Sequence, residues 1–456
     1  MELVGRTAID LAAAVRAGHA TATEVVQAHL DHLAAVEHRL GAFVATREGA
    51  ALEHAAAIDA DDDRRDLPLA GVPIAIKDVI DVAGLPTRHG SRATSAEPAI
   101  ADDPLVSRLQ QAGAVVVGKT RCPELSLWGT SDDPDSTAVS PWDPTRTAGG
   151  SSGGSAAAVG AGVVPLAVAS DGLGSSRIPA AACGVVGMRP GEGWLLDELG
   201  GEPHWFGLSR FGAIATTVAD TALLLDAMAG EHQLRQLKSL GGPHRVAVSW
   251  RPSAPGVVVS GAWREAAIEA GRLLHHAGHT VEHRDPPYDR SLTQSTISRW
   301  TQGAGADVRT LELERDELQP RTRAHVAAGE RLARVSPVDA ADAARWREKV
   351  RPFFEDYDLL VTPTFARTQP AATQWHARPW AANLATTLSA YPYCYPWNLA
   401  DLPAIVVPLW EDAGRPLSVQ IVAGPGREAL ALSVAARLEA LVPWARHAPG
   451  WGVPIA

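Results

Sequence analysis

Cysteine is scarce in this chain. Cys122, Cys183 and Cys394 are the only three in 456 residues. They are far apart and odd in number, which argues against a disulfide framework. Reduced thiols and a cytoplasmic setting are the simple reading. No run of about 18 or more apolar residues occurs, so no membrane-spanning helix is expected. The N-terminus lacks a basic stretch followed by an apolar one, so no secretory leader is expected. A long basic run is missing too, and the formal net charge is -11. Binding a nucleic-acid backbone is therefore not the main role. Neither HExxH nor paired CxxC spacing appears, so neither a metal nor another cofactor is expected. Gly149 to Gly154 could suggest a phosphate loop, but no Gly-Lys-Ser/Thr follows it.

What is present suits a globular enzyme. Hydrophobic residues make up 46% and charged residues 20%, as in ordinary folded domains. We find no internal repeat and no linker, so residues 1–456 read as one large domain. Thr21 and Glu24 have the capping-box form, and Val25, Val26, Leu30 and Leu33 follow at helical spacing. Helices are also predicted over Ala50 to Ala60, Val218 to Met228 and about Gly261 to His276. Buried strands are predicted at Gly71 to Ile76, Ala114 to Val117 and Val163 to Ala169. Further strands are predicted at Arg245 to Trp250, Thr280 to Glu282, Leu359 to Val361, Ala404 to Leu409 and Leu417 to Val422. Residues 286–355 are polar, Arg-rich and helical by propensity. This alternation predicts an α/β fold: a large mixed, mostly parallel sheet covered by helices on both faces.

Two glycine-serine turns carry the chemical signal. The first runs from Gly149 to Ser155, the second from Asp171 to Ser176. Glycines beside serine let backbone N–H groups converge on a ligand and leave the hydroxyls accessible. Far upstream, Lys77 ends an apolar strand, where burial would favour the neutral amine. Lys119 also follows a strand and is read as structural or exposed. Ser152, Ser155, Ser170 and Ser176 read as turn or capping serines, and His275 and His276 as a solvated helix face.

Together these segments resemble the amidase signature family of Ser-Ser-Lys amide hydrolases. The resemblance rests on Gly71 to Asp78, Gly118 to Thr120, Pro141 to Pro144, Gly149 to Ser155, Asp171 to Pro179 and Cys183 to Gly187. It continues through Thr217 to Asp220, Thr362 to Thr364, Asn398 to Ala404 and Gly414 to Gln420. It covers residues 7 to 440, apart from a poorly matching middle near 235–355. The resemblance implies hydrolysis of a small-molecule amide through an acyl-enzyme, without metal or other cofactor. Ser175 would be the nucleophile, Ser151 the bridging serine after a cis peptide, and Lys77 the general base. A lysine can act so only if its pKa, about 10.4 in water, falls by a few units. The N–H groups of Gly172, Leu173, Gly174 and Ser175 would form the oxyanion hole, with Asp171 and Arg177 as structural support.

Some residues depart from the family pattern. Leu173 stands where glycine is usual, Ser176 where an aliphatic residue is usual, and Asp401 where glycine is common. Ala148 replaces a proline or glycine. The poorly matching middle and the Gly191 to Arg210 segment are expected to shape substrate choice. Tyr391, Tyr393, Tyr395 and Trp397 cluster near the C-terminus; they read either as core and loop packing or, as the resemblance implies, as an aromatic acyl pocket. The resemblance also admits an acyl transferase, the glutaminase subunit of an amidotransferase, or a catalytically impaired scaffold. A homodimer is compatible with it.

Overall fold

The structure is a computed structural model that describes residues 2–195, 204–230, 234 and 242–453. Residues 196–203, within the Gly191 to Arg210 segment, lie outside the described residues. Among the described residues, eleven strands form one mixed sheet in the order β1-β3-β2-β4-β6-β5-β10-β11-β9-β7-β8. The strands are β1 (Phe43–Thr46), β2 (Val72–Lys77), β3 (Ala114–Thr120), β4 (Leu166–Asp171), β5 (Val186–Arg189) and β6 (Arg210–Ala215). β7 (Arg245–Val248), β8 (Thr280–His283), β9 (Leu359–Pro363), β10 (Ala404–Asp412) and β11 (Arg415–Ala423) complete it. β3-β2-β4 and β9-β7-β8 pair in parallel, joined by helical crossovers. The stretch from β4 through β9 is antiparallel. β10 and β11 meet there through a short turn at Ala413-Gly414, which only an antiparallel pair allows.

β1, β5 and β6 are strands that the sequence pattern does not single out, and each is only four to six residues long. Every residue of β2, β3 and β4 is buried, as strands covered by helices on both faces must be. Alternation along β9 and β11 divides the core. Leu359, Val361, Ile421 and Ala423 join the main apolar cluster. Leu360 and Val422 point the other way, into a second cluster holding Trp128, Trp205, Trp300 and Trp397.

Helices Arg290–Thr310, Pro320–Val335 and Ala341–Asp356 cover that second cluster. A buried polar brace docks them. Arg321 donates from one guanidinium nitrogen to Asp132 Oδ1 at 3.2 Å and from another to the Asp132 carbonyl at 3.1 Å. Asp132 also accepts from Thr130 and from the backbone of His376. Both members of the pair are fully buried. The loop they brace, Thr130 to Asp133, passes directly beneath the first glycine-serine turn.

Candidate active site

Parallel pairing explains why distant residues meet. β2 and β4 lie side by side in the same direction, so they end at one edge of the sheet. Lys77 is the last residue of β2, and Ser170 and Asp171 close β4. The carboxyl ends of parallel strands are where α/β sheets hold their ligands. Here Lys77 Nζ donates to Ser151 Oγ at 2.6 Å and to Ser170 Oγ at 2.9 Å.

Ser151 sits in the turn that leads into helix Gly153–Gly160. The Gly150–Ser151 peptide bond is cis. Gly150 lies on the backbone beneath it, and a Cβ there would come within 2.5 Å of the Trp128 carbonyl oxygen. Only glycine fits that approach. Ser131 steadies the turn: its hydroxyl donates to the Ser151 carbonyl at 3.1 Å and accepts the Gly153 N–H at 2.9 Å.

Lys77 is fully buried. Burial disfavours the ammonium form and lowers its pKa to about 8. A neutral amine is thus within reach near neutral pH and can take a proton from an adjacent hydroxyl.

Ser175 lies between β4 and helix Arg177–Cys183. Its carbonyl accepts the Ser152 N–H at 3.2 Å, which ties the two serine turns together. The turn is held from behind by Asp171. Burial works against an ionised Asp171, but Arg177 and the surrounding donors hold its pKa well below the usual carboxylate range. Arg177 donates to both Asp171 oxygens at 2.9 Å, to Gln420 at 2.7 Å and to Asn398 at 2.6 Å. Such a satisfied buried network fixes one backbone path.

This network corrects one expectation. The Gly174 N–H donates to Asp171 Oδ1 at 2.7 Å, so it is committed to the turn and not free for an oxyanion. Gly174 serves the turn differently: it has φ of 117°, and a Cβ there would lie 2.5 Å from Cys394 Cβ. Leu173, beside it, keeps a negative φ, so its side chain brings no backbone strain.

Among the described residues, two cavities flank Ser175. One is a cleft of about 1030 Å³ whose lining also includes Ser151, Ser170 and Gly172. Its far walls carry polar and charged groups, including His204, Arg299, Asp307 and Arg347. Asp307 accepts from His204 Nε2 at 3.0 Å and Trp205 Nε1 at 2.8 Å. The other is a small apolar cavity of about 30 Å³, walled by Leu173, Trp128, Trp205, Trp300, Tyr391 and Tyr395 among others. Among the described residues, no group of three or more His, Cys, Asp or Glu side chains is arranged to hold a metal ion.

A family model for amidases matches residues 24–432. The chain belongs to the amidase signature family. It is 38% identical over 447 residues to AmiB2 of Mycobacterium tuberculosis, which is provisionally named an amidase, with 95% of each chain covered. It is 33% identical to an acylamidase of Rhodococcus erythropolis, covering 99% of this chain and 98% of that one. Among solved structures, a 6-aminohexanoate cyclic dimer hydrolase complexed with substrate superposes with a TM-score of 0.89. That hydrolase is 27% identical, with 98% of this chain and 99% of the other covered.

Several amidase residues sit elsewhere than the sequence suggests. Tyr391 and Tyr395 line the apolar cavity, but Tyr393 and Trp397 do not. The Tyr393 hydroxyl donates to the Trp250 carbonyl at 2.8 Å, and Trp397 is wholly enclosed in the second core cluster. Sequence reasoning passed over Trp128, Trp205 and Trp300, which lie outside the family motifs. It also passed over Ser170, which reads as a turn serine yet contacts Lys77. Lys119 is structural and fully buried, paired with Asp78 at 3.2 Å. Asp401 has φ of 56°, the left-handed conformation that favours glycine. Its carboxylate accepts from Arg189 at 2.7 Å and from Arg210 at 2.6 Å.

Proposed function

We propose that the chain hydrolyses carboxylic amides through an acyl-enzyme on Ser175. The observation that carries this reading is the 2.6 Å contact between the buried Lys77 amine and the Ser151 hydroxyl, with Ser175 in the adjoining turn. Lys77 enters neutral. As the Ser175 oxygen attacks the amide carbon, its proton passes to Ser151, and the Ser151 proton passes to Lys77. The developing oxyanion faces the N–H groups of Gly172, Leu173 and Ser175. Donors of this kind contribute about 3–4 kcal/mol each. The C–N bond then breaks, and the proton returns through Ser151 to the leaving nitrogen. Water repeats the relay on the ester, releasing the acid and restoring Ser175.

The same reading takes the chain as one catalytic domain acting on a small molecule. Three free, buried cysteines support a reducing, cytoplasmic setting. No helix among the described residues is long and apolar enough to cross a membrane. A homodimer belongs to the same proposal, and sedimentation of the purified protein checks it.

Ser175→Ala is expected to abolish amide hydrolysis while melting at the wild-type temperature. Lys77→Ala is expected to lose about 10²–10⁴-fold at pH 7. A fluorophosphonate should label wild type at Ser175 and leave the alanine variant unlabelled. Normal turnover by Ser175→Ala would refute the assignment.

A further inference from the structure

Trp205 lines both cavities beside Ser175, yet it is only 5% exposed. Its indole is wedged between two glycines. A Cβ on Gly172 would come within 2.9 Å of Trp205 Cε3 and 3.0 Å of Cζ3, so the benzene edge of the indole lies against the turn that carries Ser175. A Cβ on Gly303 would come within 2.8 Å of Cδ1 and 3.0 Å of Cγ, so the pyrrole edge lies against helix Arg290–Thr310. Trp205 Nε1 donates to Asp307 Oδ2 at 2.8 Å, one helical turn beyond Gly303. The other Asp307 oxygen lies 3.0 Å from His204 Nε2, and the His204 ring stacks on the indole with 5.3 Å between centres.

This placement is held against a backbone preference. Trp205 and Phe206 have φ of 52° and 55°, left-handed values that bulky residues rarely adopt. Such conformations persist where the surroundings over-determine them, and they gather at functional sites. Here two glycines make room for one ring and a carboxylate grips it. What the ring rests on supplies the reason. Gly172 opens the turn whose N–H groups face the developing oxyanion, and a Gly-Leu-Gly backbone has little stiffness of its own.

We infer that Trp205 is a positioning residue: its indole, gripped by Asp307, packs on Gly172 and holds the N–H groups of the nucleophile's turn on the oxyanion. This rests on the amidase reading above and adds a residue through which the Ser175 chemistry is aligned. Misplacing such a group by about 1 Å can cost roughly 10²-fold.

Two ketones of one skeleton test it. Benzylacetone binds as a ketone. Its trifluoromethyl analogue takes the Ser175 oxygen onto its carbonyl carbon; the C=O π pair moves to oxygen, and the Ser175 proton passes through Ser151 to Lys77. Only the second ketone makes an oxyanion. Each Kd is read from protection of Ser175 against a fluorophosphonate. The readout is the ratio of the two, in which changes in ordinary binding cancel, so a residue that only stabilises the fold would not move it. Trp205→Ala should lower the preference for the trifluoromethyl ketone by about 10²-fold. Asp307→Ala should lower it several-fold, and Asp307→Asn, whose amide oxygen still accepts from an indole, should restore most of it. A folded Trp205→Ala with the wild-type ratio would overturn the inference and leave the amidase reading standing. If Trp205→Ala does not fold, the wild-type ratio in Asp307→Ala has the same force. Wild type that the fluorophosphonate fails to label at Ser175 would overturn both.

Discussion

The Lys77 amine lies 2.9 Å from the Ser170 hydroxyl, so it is held by a second serine besides Ser151. An acceptor at that distance stabilises the ammonium form. Its removal should therefore lower the Lys77 pKa further, by up to about one unit. The wild-type kcat/KM should rise as pH increases through about 8, where Lys77 loses its proton. In Ser170→Ala the midpoint of that rise should move to lower pH, with the plateau reduced only a few-fold. A purely structural serine would lower the plateau and leave the midpoint in place, so the full pH profile separates the two roles.

The Arg321–Asp132 brace makes a stability prediction. Arg321→Ala would leave the Asp132 carboxylate buried without its cation. Breaking a buried pair in this way costs about 3–5 kcal/mol. Chemical denaturation of the purified variant measures it. A loss below about 1 kcal/mol would place the pair with ordinary surface ion pairs and remove its bracing role.

Gly150→Ala tests the close approach beneath the bridging serine. The added methyl would meet the Trp128 carbonyl oxygen at 2.5 Å and the Thr130 nitrogen at 2.8 Å, and backbone cannot step aside as a side chain can. We expect overpacking of about 1–3 kcal/mol or more, together with loss of turnover. Wild-type kcat from a stable Gly150→Ala protein would contradict the described packing.

The motifs made some of this architecture readable and hid the rest. Lys77, Ser151 and Ser175 stand in segments whose residue types are unusual together, so they could be found without coordinates. Ser170 could not, because its role comes from β2 and β4 running in parallel, and register is a property of two strands. The resemblance implies a free Gly174 N–H, but a turn sequence does not show which donors its own aspartate consumes. Tyr393 and Trp397 looked like neighbours of Tyr391 and Tyr395. Yet the Tyr393 hydroxyl is spent on the Trp250 carbonyl, and Trp397 faces inward from the short helix Tyr395–Ala400. Trp128 and Trp300 come from segments 172 positions apart (300 − 128), each unremarkable alone, and only the folded core brings their rings together.

Helix Arg290–Thr310 borders both cavities. Thr296, Ile297 and Trp300 face the apolar one, while Arg299, Gly303 and Asp307 face the cleft. Neighbouring residues on a helix are rotated by about 100° from each other, so the walls of two cavities are inscribed on adjacent stripes of one rigid rod. Inserting a single residue midway would turn the downstream stripe away from its cavity. Point substitutions preserve the rod's phase, so they can reshape one cavity while the other stays as it was. Diversification of this scaffold should therefore proceed along the helix by replacement and leave its length unchanged.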